Sequence, residues 1–266
     1  MEHDSWHAYP ALRRFGRFAA SLRFNSLTPI AIGDSRYLRK SRLRRAAIMV
    51  PLANWYAART GMKMRVLTCP AWLRHEPLMY RLMLGLDAQV VRGALLLPRL
   101  PGRTLSGMLQ ESGGITGRVE LGLHLTVVEL ARLHACWTPH PWDGGLQRFS
   151  HADATIDNVL IDADRKQAHW IDFDTTHSPS LPAAARHADD LLTLLCGAAT
   201  MLAPEHWPRL CQILLRSYQS KPVAAAMMDL IRHWDRHPAA RRLAIPGFGD
   251  PQWQLLRQAA LSTATG

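Results

Sequence analysis

The stretch SHADATIDNVLIDADRKQAHWIDFDTTH, from Ser150 to His177, sets acidic side chains beside two apolar runs. The runs NVLID and AHWIDF are typical of two short strands, and the polar segment ADRKQ between them is typical of a turn. A tight hairpin brings the start of its first strand beside the end of its second. We therefore expect Asn158 and Asp172 to lie close together, with Asp153 a few residues away.

This cluster of oxygen-bearing side chains indicates a particular chemistry. A carboxylate and an amide oxygen at one end of a hairpin suit a hard cation, above all Mg²⁺, which keeps waters for substrate phosphates. A second carboxylate that does not hold the metal can orient or deprotonate a hydroxyl group. The stretch therefore predicts a site where a magnesium-bound phosphate meets an alcohol.

The order of these residues resembles a known family. H-A-D-A-T-I-D-N followed by I-D-F-D is similar to the catalytic loop and metal-binding motif of the protein-kinase-like fold. The variant looks less like protein kinases than like aminoglycoside phosphotransferases and lipopolysaccharide core-sugar kinases, because Asp174 stands where protein kinases have glycine. Ala152 departs from the glycine or arginine common at its position. The resemblance covers roughly residues 30 to 215.

The resemblance implies a role for each residue of the motif. Asp153 would be the catalytic aspartate that accepts the proton of the substrate hydroxyl. Asn158 and Asp172 would hold Mg²⁺ on the phosphates of ATP, and His151 would brace the loop. Because phosphoryl transfer depends mainly on positioning and charge neutralisation, these few groups can carry most of the catalysis.

Two helical segments near the motif extend the resemblance. ELARLHAC resembles the helix that precedes the catalytic loop, and we interpret its His134 as a packed or capping residue. RHADDLLTLL resembles the helix whose aspartate holds the catalytic loop through backbone N–H groups. Asp190 is the preferred residue for that role, with Asp189 as the alternative.

The N-terminal part should supply a lysine for the nucleotide phosphates and a helix glutamate to hold that lysine. Only Lys40 and Lys63 precede the catalytic loop, and Glu76 is the best glutamate. Lys40 is favoured because it follows a Gly-Asp turn on an apparent strand, which then requires an insertion over roughly residues 41–68. No glycine-rich loop is present, and Gly16 stands alone.

These features together predict an α+β, protein-kinase-like bilobal fold. A small, reduced β-containing N-lobe would span residues 1–97, a hinge 98–104, and a mainly helical C-lobe 105–266. Backbone groups of Pro98 to Leu100 in the hinge would bind the adenine edge. The C-lobe would carry the catalytic loop and one inserted hairpin, and the chain after it is expected to be helical.

Composition limits the partners and the cellular compartment. The 266-residue chain has a net charge of +11, mostly from arginine, and a basic run from Arg36 to Arg45. Such a run attracts phosphate-bearing partners or anionic membrane surfaces, and we expect Arg42, Arg44 and Arg45 to make such a peripheral contact. Nucleic acid is an unlikely partner, because no recognised nucleic-acid-binding motif occurs. With no membrane span or secretion signal and four scattered cysteines, we expect a cytoplasmic protein, with possible peripheral binding to the inner membrane.

The leading hypothesis is an ATP- and Mg²⁺-dependent kinase that acts on a hydroxyl of a small molecule, a sugar or an envelope glycolipid. The missing glycine-rich loop motivates an alternative, a pseudokinase or nucleotide-binding regulatory module without turnover. A serine/threonine protein kinase is a further alternative. An aminoglycoside acceptor is disfavoured, because a cationic substrate prefers an acidic cleft.

Overall fold

The computed structural model describes residues 24–59, 61–233 and 250–265. In these ranges the chain is mixed α+β, with an antiparallel sheet near the N-terminus and helices that dominate after residue 105. The α+β class predicted from the sequence is confirmed. The basic residues from Arg13 to Arg23, and Gly16, lie outside the described ranges.

The main sheet has four antiparallel strands in the order β1–β2–β5–β4. They are β1 (Asn25–Ile32), β2 (Ser35–Arg42), β4 (Gln89–Val91) and β5 (Ala94–Pro98). The predicted hairpin around Gly33 is confirmed: Ile32 pairs with Ser35 across a two-residue loop, and Gly33 takes a φ of 58°. Glycine suits this position because only it adopts a positive φ without steric cost.

The remaining strands form small sheets that connect distant parts of the chain. β3 (Met64–Val66) pairs antiparallel with β11 (Thr175–His177). The predicted hairpin of the acidic stretch is β9 (Val159–Asp162) with β10 (Gln167–Trp170), and β6 (Arg103–Thr104) adds a third strand beside β9. β7 (Trp137–Pro139) and β8 (Leu146–Arg148) form a second hairpin, which the sequence did not reveal.

The helices begin between β2 and β3 and dominate the C-terminal part. They are α1 (Ala46–Arg59), α2 (Cys69–Met79), α3 (Leu105–Ser112), α4 (Gly117–His134), α5 (Ala183–Thr200), α6 (Trp207–Tyr218), α7 (Lys221–Arg232) and α8 (Asp250–Thr265). Among the described residues, none of these helices is both long enough and apolar enough to cross a membrane.

Two helix boundaries show how the sequence sets local structure. α1 runs through Pro51 as one helix, where the sequence left open a bend or a new helix. Pro51 and Ala47, whose carbonyl loses its helical partner, are both exposed, so water can replace the missing hydrogen bond. Gly85 ends the segment after α2: one π-helical turn (Tyr80–Leu84) follows α2, and Gly85 caps it with a φ of 66°.

One hydrophobic core joins the main sheet to the helices. It includes Trp72 on α2 and Leu95 on β5, and it continues through Trp170 on β10 and Phe173 to the C-terminal helices. All four side chains are almost fully buried. The acidic stretch therefore lies against the core between the sheet and the helical part, where charges are costly unless they are paired.

Candidate active site

Lys40 lies at the centre of a buried ion-pair cluster. It is on β2, its side chain is only 3% exposed, and its Nζ lies 2.7 Å from each carboxylate oxygen of Glu76 on α2. The indole N–H of Trp72, one turn before Glu76, donates to the same carboxylate. The Lys40 Nζ also lies 2.6 Å from Oδ1 of Asp172. The cluster therefore joins the sheet, α2 and the segment after β10.

This geometry distinguishes the two candidate lysines. Lys63 is exposed on the connection between α1 and β3, and its carbonyl accepts a hydrogen bond from Ser178. Burial by itself would lower the pKa of Lys40, but the carboxylates of Asp172 and Glu76 raise it well above its ordinary value. Lys40 therefore stays charged, and it rather than Lys63 pairs with Glu76.

Asn158 connects the candidate metal ligands to the candidate base. Its Nδ2 donates to both the backbone carbonyl and the Oδ2 of Asp153, each at 2.9 Å. The backbone carbonyl of Asn158 accepts a hydrogen bond from the N–H of Ile171. This bond brings the start of β9 beside the residue that precedes Asp172. Because both amide hydrogens are used by Asp153, the Oδ1 of Asn158 can act as an oxygen donor to a cation.

Asp172 has an unusual backbone. The strand β10 ends at Trp170, three residues before the end of the predicted run AHWIDF, because Asp172 takes a left-handed conformation with a φ of 64°. Such a φ is uncommon for a residue other than glycine and costs free energy that the surroundings must supply. Ala152, beside Asp153, is strained in the same way with a φ of 65°. Both strained residues adjoin the predicted catalytic groups.

Asp153 is half-buried, and its carboxylate accepts the hydrogen bond from Asn158. Its burial raises the pKa of its carboxyl to about 7, and the nearby carboxylates of Asp172 and Asp174 add to the rise. A carboxylate with a pKa near 7 is well matched to proton transfer at neutral pH. Asp153 is thus hydrogen-bonded to Asn158, and the Asp172 carboxylate lies near enough to raise the pKa of Asp153.

Asp190, on α5, holds the loop that carries Asp153. Its carboxylate accepts the backbone N–H groups of His151 and Ala152, both at 2.8 Å, and the Nε2–H of His134 at 3.0 Å. Asp189 instead contacts His177 at 3.2 Å. The geometry thus gives the bracing position to Asp190 and not to its neighbour. His134 is packed and hydrogen-bonded, as interpreted from the sequence.

His151 also contacts the segment between β10 and β11, which carries Asp172. Its Nε2–H donates to the carbonyl of Ile171 at 3.0 Å, and its own carbonyl accepts the hydroxyl of Thr175 at 3.2 Å. Burial lowers the pKa of the His151 imidazole, so the ring is neutral at physiological pH. These contacts fit the structural role expected for His151.

Asp174 has a partner that sequence reasoning missed. Its Oδ2 accepts from Nδ2 of Asn25 at 2.9 Å and from the guanidinium of Arg42 at 3.2 Å. Arg42 is buried and stacks over the ring of Trp72. The expectation that Arg42 contacts a membrane is therefore wrong. Its position two residues after Lys40 was the available signal, because alternate residues of a strand share one face.

The predicted hinge follows β5. Pro98 is the last residue of β5 and pairs with Tyr37, while the N–H of Arg99 donates to the carbonyl of Arg36. That N–H is therefore unavailable to a nucleotide base, which leaves the carbonyl of Pro98 and the backbone of Leu100 for this role. Lys40 is opposite Leu95, three residues before Pro98, so the two positions lie about 10 Å apart along the sheet.

The oxygen donors fit a magnesium ion that is shared with a substrate. Within the described ranges, no group of three or more His, Cys, Asp or Glu side chains is arranged to hold a metal ion. Asn158 and Asp172 supply two hard oxygen donors, and Mg²⁺ commonly takes one or two protein carboxylates and completes its shell with phosphates and water.

No protein-family model matches the chain, and no curated protein matches it. Its function is therefore inferred from the geometry of the site.

A cavity of about 570 Å³ opens beside Asp153. One wall comes from the connection between α1 and β3, at residues 61–64, and another from α5 and the loop before it. The segment 61–64 was predicted only as part of an insertion, and nothing in its sequence indicated that it lies against α5. The cavity is the natural place for a molecule that reacts at Asp153.

Proposed function

We propose that this protein is an ATP- and Mg²⁺-dependent phosphotransferase with a protein-kinase-like bilobal fold. The observation that carries the proposal is the buried contact of Lys40 with Glu76 and Asp172, whose charge in turn acts on Asp153, the hydrogen-bond partner of Asn158. A buried lysine between two carboxylates costs desolvation energy. The protein keeps this buried charge despite the cost, which supports a role for Lys40 in binding a phosphate ligand.

The arrangement of elements supports the same fold. The sheet carries the lysine on β2, α2 carries the glutamate, and the segment after β5 leads into the helical part. In the proposal, residues 1–97 form the N-lobe, 98–104 the hinge and 105–266 the C-lobe. ATP would lie between the lobes, with its base near Pro98 and Leu100.

The residues divide the work of phosphoryl transfer. Lys40, held in place by Glu76, contacts the nucleotide phosphates, and Asn158 and Asp172 present oxygen atoms to the cation. When bound, Mg²⁺ neutralises the phosphate charge that develops during transfer. Asp153 accepts a hydrogen bond from the acceptor hydroxyl and takes its proton as the oxygen attacks the γ-phosphorus.

The acceptor would be a hydroxyl-bearing small molecule, a sugar or a glycolipid. The cavity beside Asp153 is bounded on several sides, as an acceptor of that size requires, whereas a protein kinase needs an open groove for an extended peptide. We therefore rank a serine/threonine protein kinase below a small-molecule kinase. The proposal includes a cytoplasmic location, because the cytoplasm supplies the ATP that the reaction consumes.

A second candidate is a nucleotide-binding module without turnover. One observation favours it: Oδ1 of Asp172 is already held by Lys40 at 2.6 Å, so a cation must compete with an internal partner. The two candidates differ in turnover and share nucleotide binding.

Calorimetric titration with ATP, in the presence and absence of Mg²⁺, tests both candidates. We expect Mg²⁺-dependent binding that Asp172→Asn weakens at least tenfold. Asp164→Asn is the matched control. It replaces an aspartate by asparagine in the same way, but on the exposed turn at the other end of the same hairpin. The nucleotide site would be refuted if ATP affinity did not depend on Mg²⁺, or if Asp172→Asn and Asp164→Asn lowered that affinity equally.

Turnover is then measured with γ-labelled ATP against cell-envelope extracts and small metabolites. Labelled product that requires Asp153 supports the phosphotransferase. Nucleotide binding without any labelled product supports the non-catalytic module.

A further inference from the structure

The cavity beside Asp153 has predominantly apolar walls. Its larger apolar members come from the insertion, the loop that carries Asp153, the loop before α5, α5 with its C-terminal turn, and α7: Met62, Met64, Ile156, Leu181, Leu192, Met201 and Leu230. Apolar surface of this kind gains free energy when it covers an apolar ligand and gains nothing from a hydrated sugar ring.

Each carboxylate in the lining has a hydrogen-bond partner, and that of Asp153 is the side-chain amide of Asn158. Asp157 accepts the hydroxyl hydrogen of Ser106 at 2.5 Å, and Asp189 contacts His177 at 3.2 Å. Lys63 is also in the lining and is exposed, so it adds a positive charge. The lining thus holds three carboxylates and one lysine, so it disfavours an acceptor whose body is anionic.

We propose that the acceptor is an alcohol with an uncharged, apolar body, whose hydroxyl meets Asp153 while the body fills the cavity. This inference rests on the proposed phosphotransferase function and narrows its substrate class. The hydroxyl oxygen forms a bond to the γ-phosphorus as the bond to the β-phosphate oxygen breaks. The hydroxyl proton goes to Asp153, and the products are ADP and a phosphate monoester.

A series of straight-chain primary alcohols, from butan-1-ol to decan-1-ol, provides the probe. Each buried methylene contributes about 0.8 kcal/mol, so we expect affinity to rise about fourfold per methylene until the cavity is full. Binding is measured without nucleotide by ligand-observed NMR. Phosphotransfer is measured separately with Mg²⁺ and γ-labelled ATP, and the ratio kcat/KM should follow the same chain-length dependence.

The double variant Met62→Gln, Met64→Gln should flatten the chain-length dependence, because it replaces half-buried apolar side chains of the cavity wall with polar ones. Met49→Gln is the matched control, since Met49 is also half-buried but lies on α1, outside the cavity lining. If the double variant folds poorly, Ala185→Phe serves in its place. It narrows the cavity from the side of α5, so the longest alcohol that still binds should have fewer carbons.

The two readouts separate this inference from the function on which it rests. If alcohol binding depends on chain length but no phosphotransfer is detected, the apolar site is supported and the phosphotransferase function is refuted. Transfer to glucose or kanamycin, with no binding of any alkanol, would overturn the apolar acceptor and leave the phosphotransferase standing. If Met49→Gln flattened the chain-length dependence as much as the double variant does, the cavity would not be the binding site. That result would also overturn the inference.

A separate observation concerns the surface of α1. Ile48 and Trp55 lie seven residues apart, on one face of the helix, and are 75% and 56% exposed. Arg44 lies exposed just before the helix, and the guanidinium of Arg59 stacks 5.8 Å from the ring centre of Trp55. From residue 35 to residue 75 the sequence has ten arginines and lysines and no acidic residue.

The structure assigns this face to an anionic lipid bilayer. An apolar, tryptophan-bearing helix face flanked by arginines is suited to lie in the headgroup region, with the rings and aliphatic groups below the charges. Each basic group near an anionic surface adds attraction that salt screens. Arg44 and Arg59 carry that attraction here, whereas Arg42 is turned inward.

Co-sedimentation with vesicles tests this surface. We expect binding to phosphatidylcholine vesicles that contain 30% phosphatidylglycerol, weaker binding to pure phosphatidylcholine, and at least a tenfold loss in Ile48→Ser, Trp55→Ser. The matched control is Leu146→Ser, Trp137→Ser. It removes an equally exposed aliphatic–tryptophan pair, with Arg148 stacked on Trp137, from the β7–β8 hairpin. Equal binding to both vesicle types, or a larger loss in the control, would overturn the assignment.

Discussion

At the scale of single residues, the acidic side chains of the site are distinguished by their partners. Asp172 faces Lys40, Asp174 faces Arg42, Asp190 faces backbone N–H groups, and Asp153 has only the amide of Asn158. Burial raises the pKa of Asp153 to about 7, and no cation beside it opposes the rise. Lys40 and Arg42, by contrast, oppose the rise that burial causes in the pKa of Glu76 and Asp174. The proposed base is therefore the carboxylate that lacks a positive partner.

Asp153→Asn should abolish turnover and spare nucleotide binding. The amide keeps the shape of the side chain but cannot take a proton, so we expect the proposed transfer rate to fall about 10²- to 10⁴-fold. The dissociation constant of Mg²⁺–ATP should change less than threefold. Steady-state kinetics and calorimetry give the two values, with Asp164→Asn as the control. A variant that retains more than a tenth of the rate would remove Asp153 from the mechanism.

His75 should make stability depend on pH. Burial lowers the pKa of His75 to about 4, and the charge of nearby His140 acts in the same direction. In the unfolded chain, His75 is protonated below its ordinary pKa of about 6.5. In the folded protein, it stays neutral until the pH falls to about 4. The contribution of His75 to stability is thus lost as the pH falls through this window.

Urea unfolding of the wild type and His75→Gln at pH 7.5 and pH 5 isolates this effect. The difference in unfolding free energy between the two proteins should shift by about 2 kcal/mol in favour of the variant at pH 5. A difference that stays constant with pH would mean that His75 is readily protonated in the folded state.

At the scale of elements, the connector between sheet and helices is fixed by a close backbone contact. Gly102 has a φ of 103°, and a Cβ there would lie 2.6 Å from the carbonyl oxygen of Ile161 on β9. The connector therefore lies directly on the strand whose start carries Asn158. This contact helps to set the distance between the proposed hinge and the candidate ligand Asn158.

Gly102→Ala should destabilise the protein, because the methyl group meets rigid backbone and the φ is unfavourable. We expect a loss of about 1–3 kcal/mol in thermal or urea unfolding. Gly117→Ala is the matched control, since a Cβ at Gly117 meets nothing within 4 Å at the start of α4. It should be neutral or slightly stabilising. Equal stability of the two variants would contradict the close approach.

At the scale of the whole molecule, ion pairs join segments that are far apart in the chain. Lys40 and Arg42 on one strand pair with Asp172 and Asp174 on the segment after β10. The insertion adds a further link, because β3 pairs with β11 and the N–H of Leu67 donates to the carbonyl of Asp174. The sheet and the helical part are therefore held together at the candidate site itself.

Arg42→Met should test that link. It leaves the buried carboxylate of Asp174 without its cation, and breaking a buried pair costs on the order of 3 kcal/mol. Arg39→Met, on the exposed face of the same strand, should change the unfolding free energy by less than about 0.5 kcal/mol. Chemical denaturation measures both, and similar values for the two variants would mean that the pair contributes little.

Some of the site was predictable because it depends on neighbours in the chain. Asn158 and Asp172 meet because a tight hairpin must bring its two ends together, and Gly33 and Gly85 mark a turn and a helix end. Lys40 was preferred on strand context, but only the packing of α2 against β2 brings Glu76 to it and leaves Lys63 outside. The choice between Asp190 and Asp189 likewise depends on the rotation of α5, which one sequence does not specify.

The sequence by itself determined the local elements, because hydrophobic period, turn residues and hairpin closure act over a few residues. The tertiary structure alone decided which charges pair across 132 residues, that Arg42 faces inward, and that residues 61–64 wall a cavity beside Asp153. The reason is physical: those contacts follow from how one shared core brings distant segments together. That packing depends on the whole chain at once.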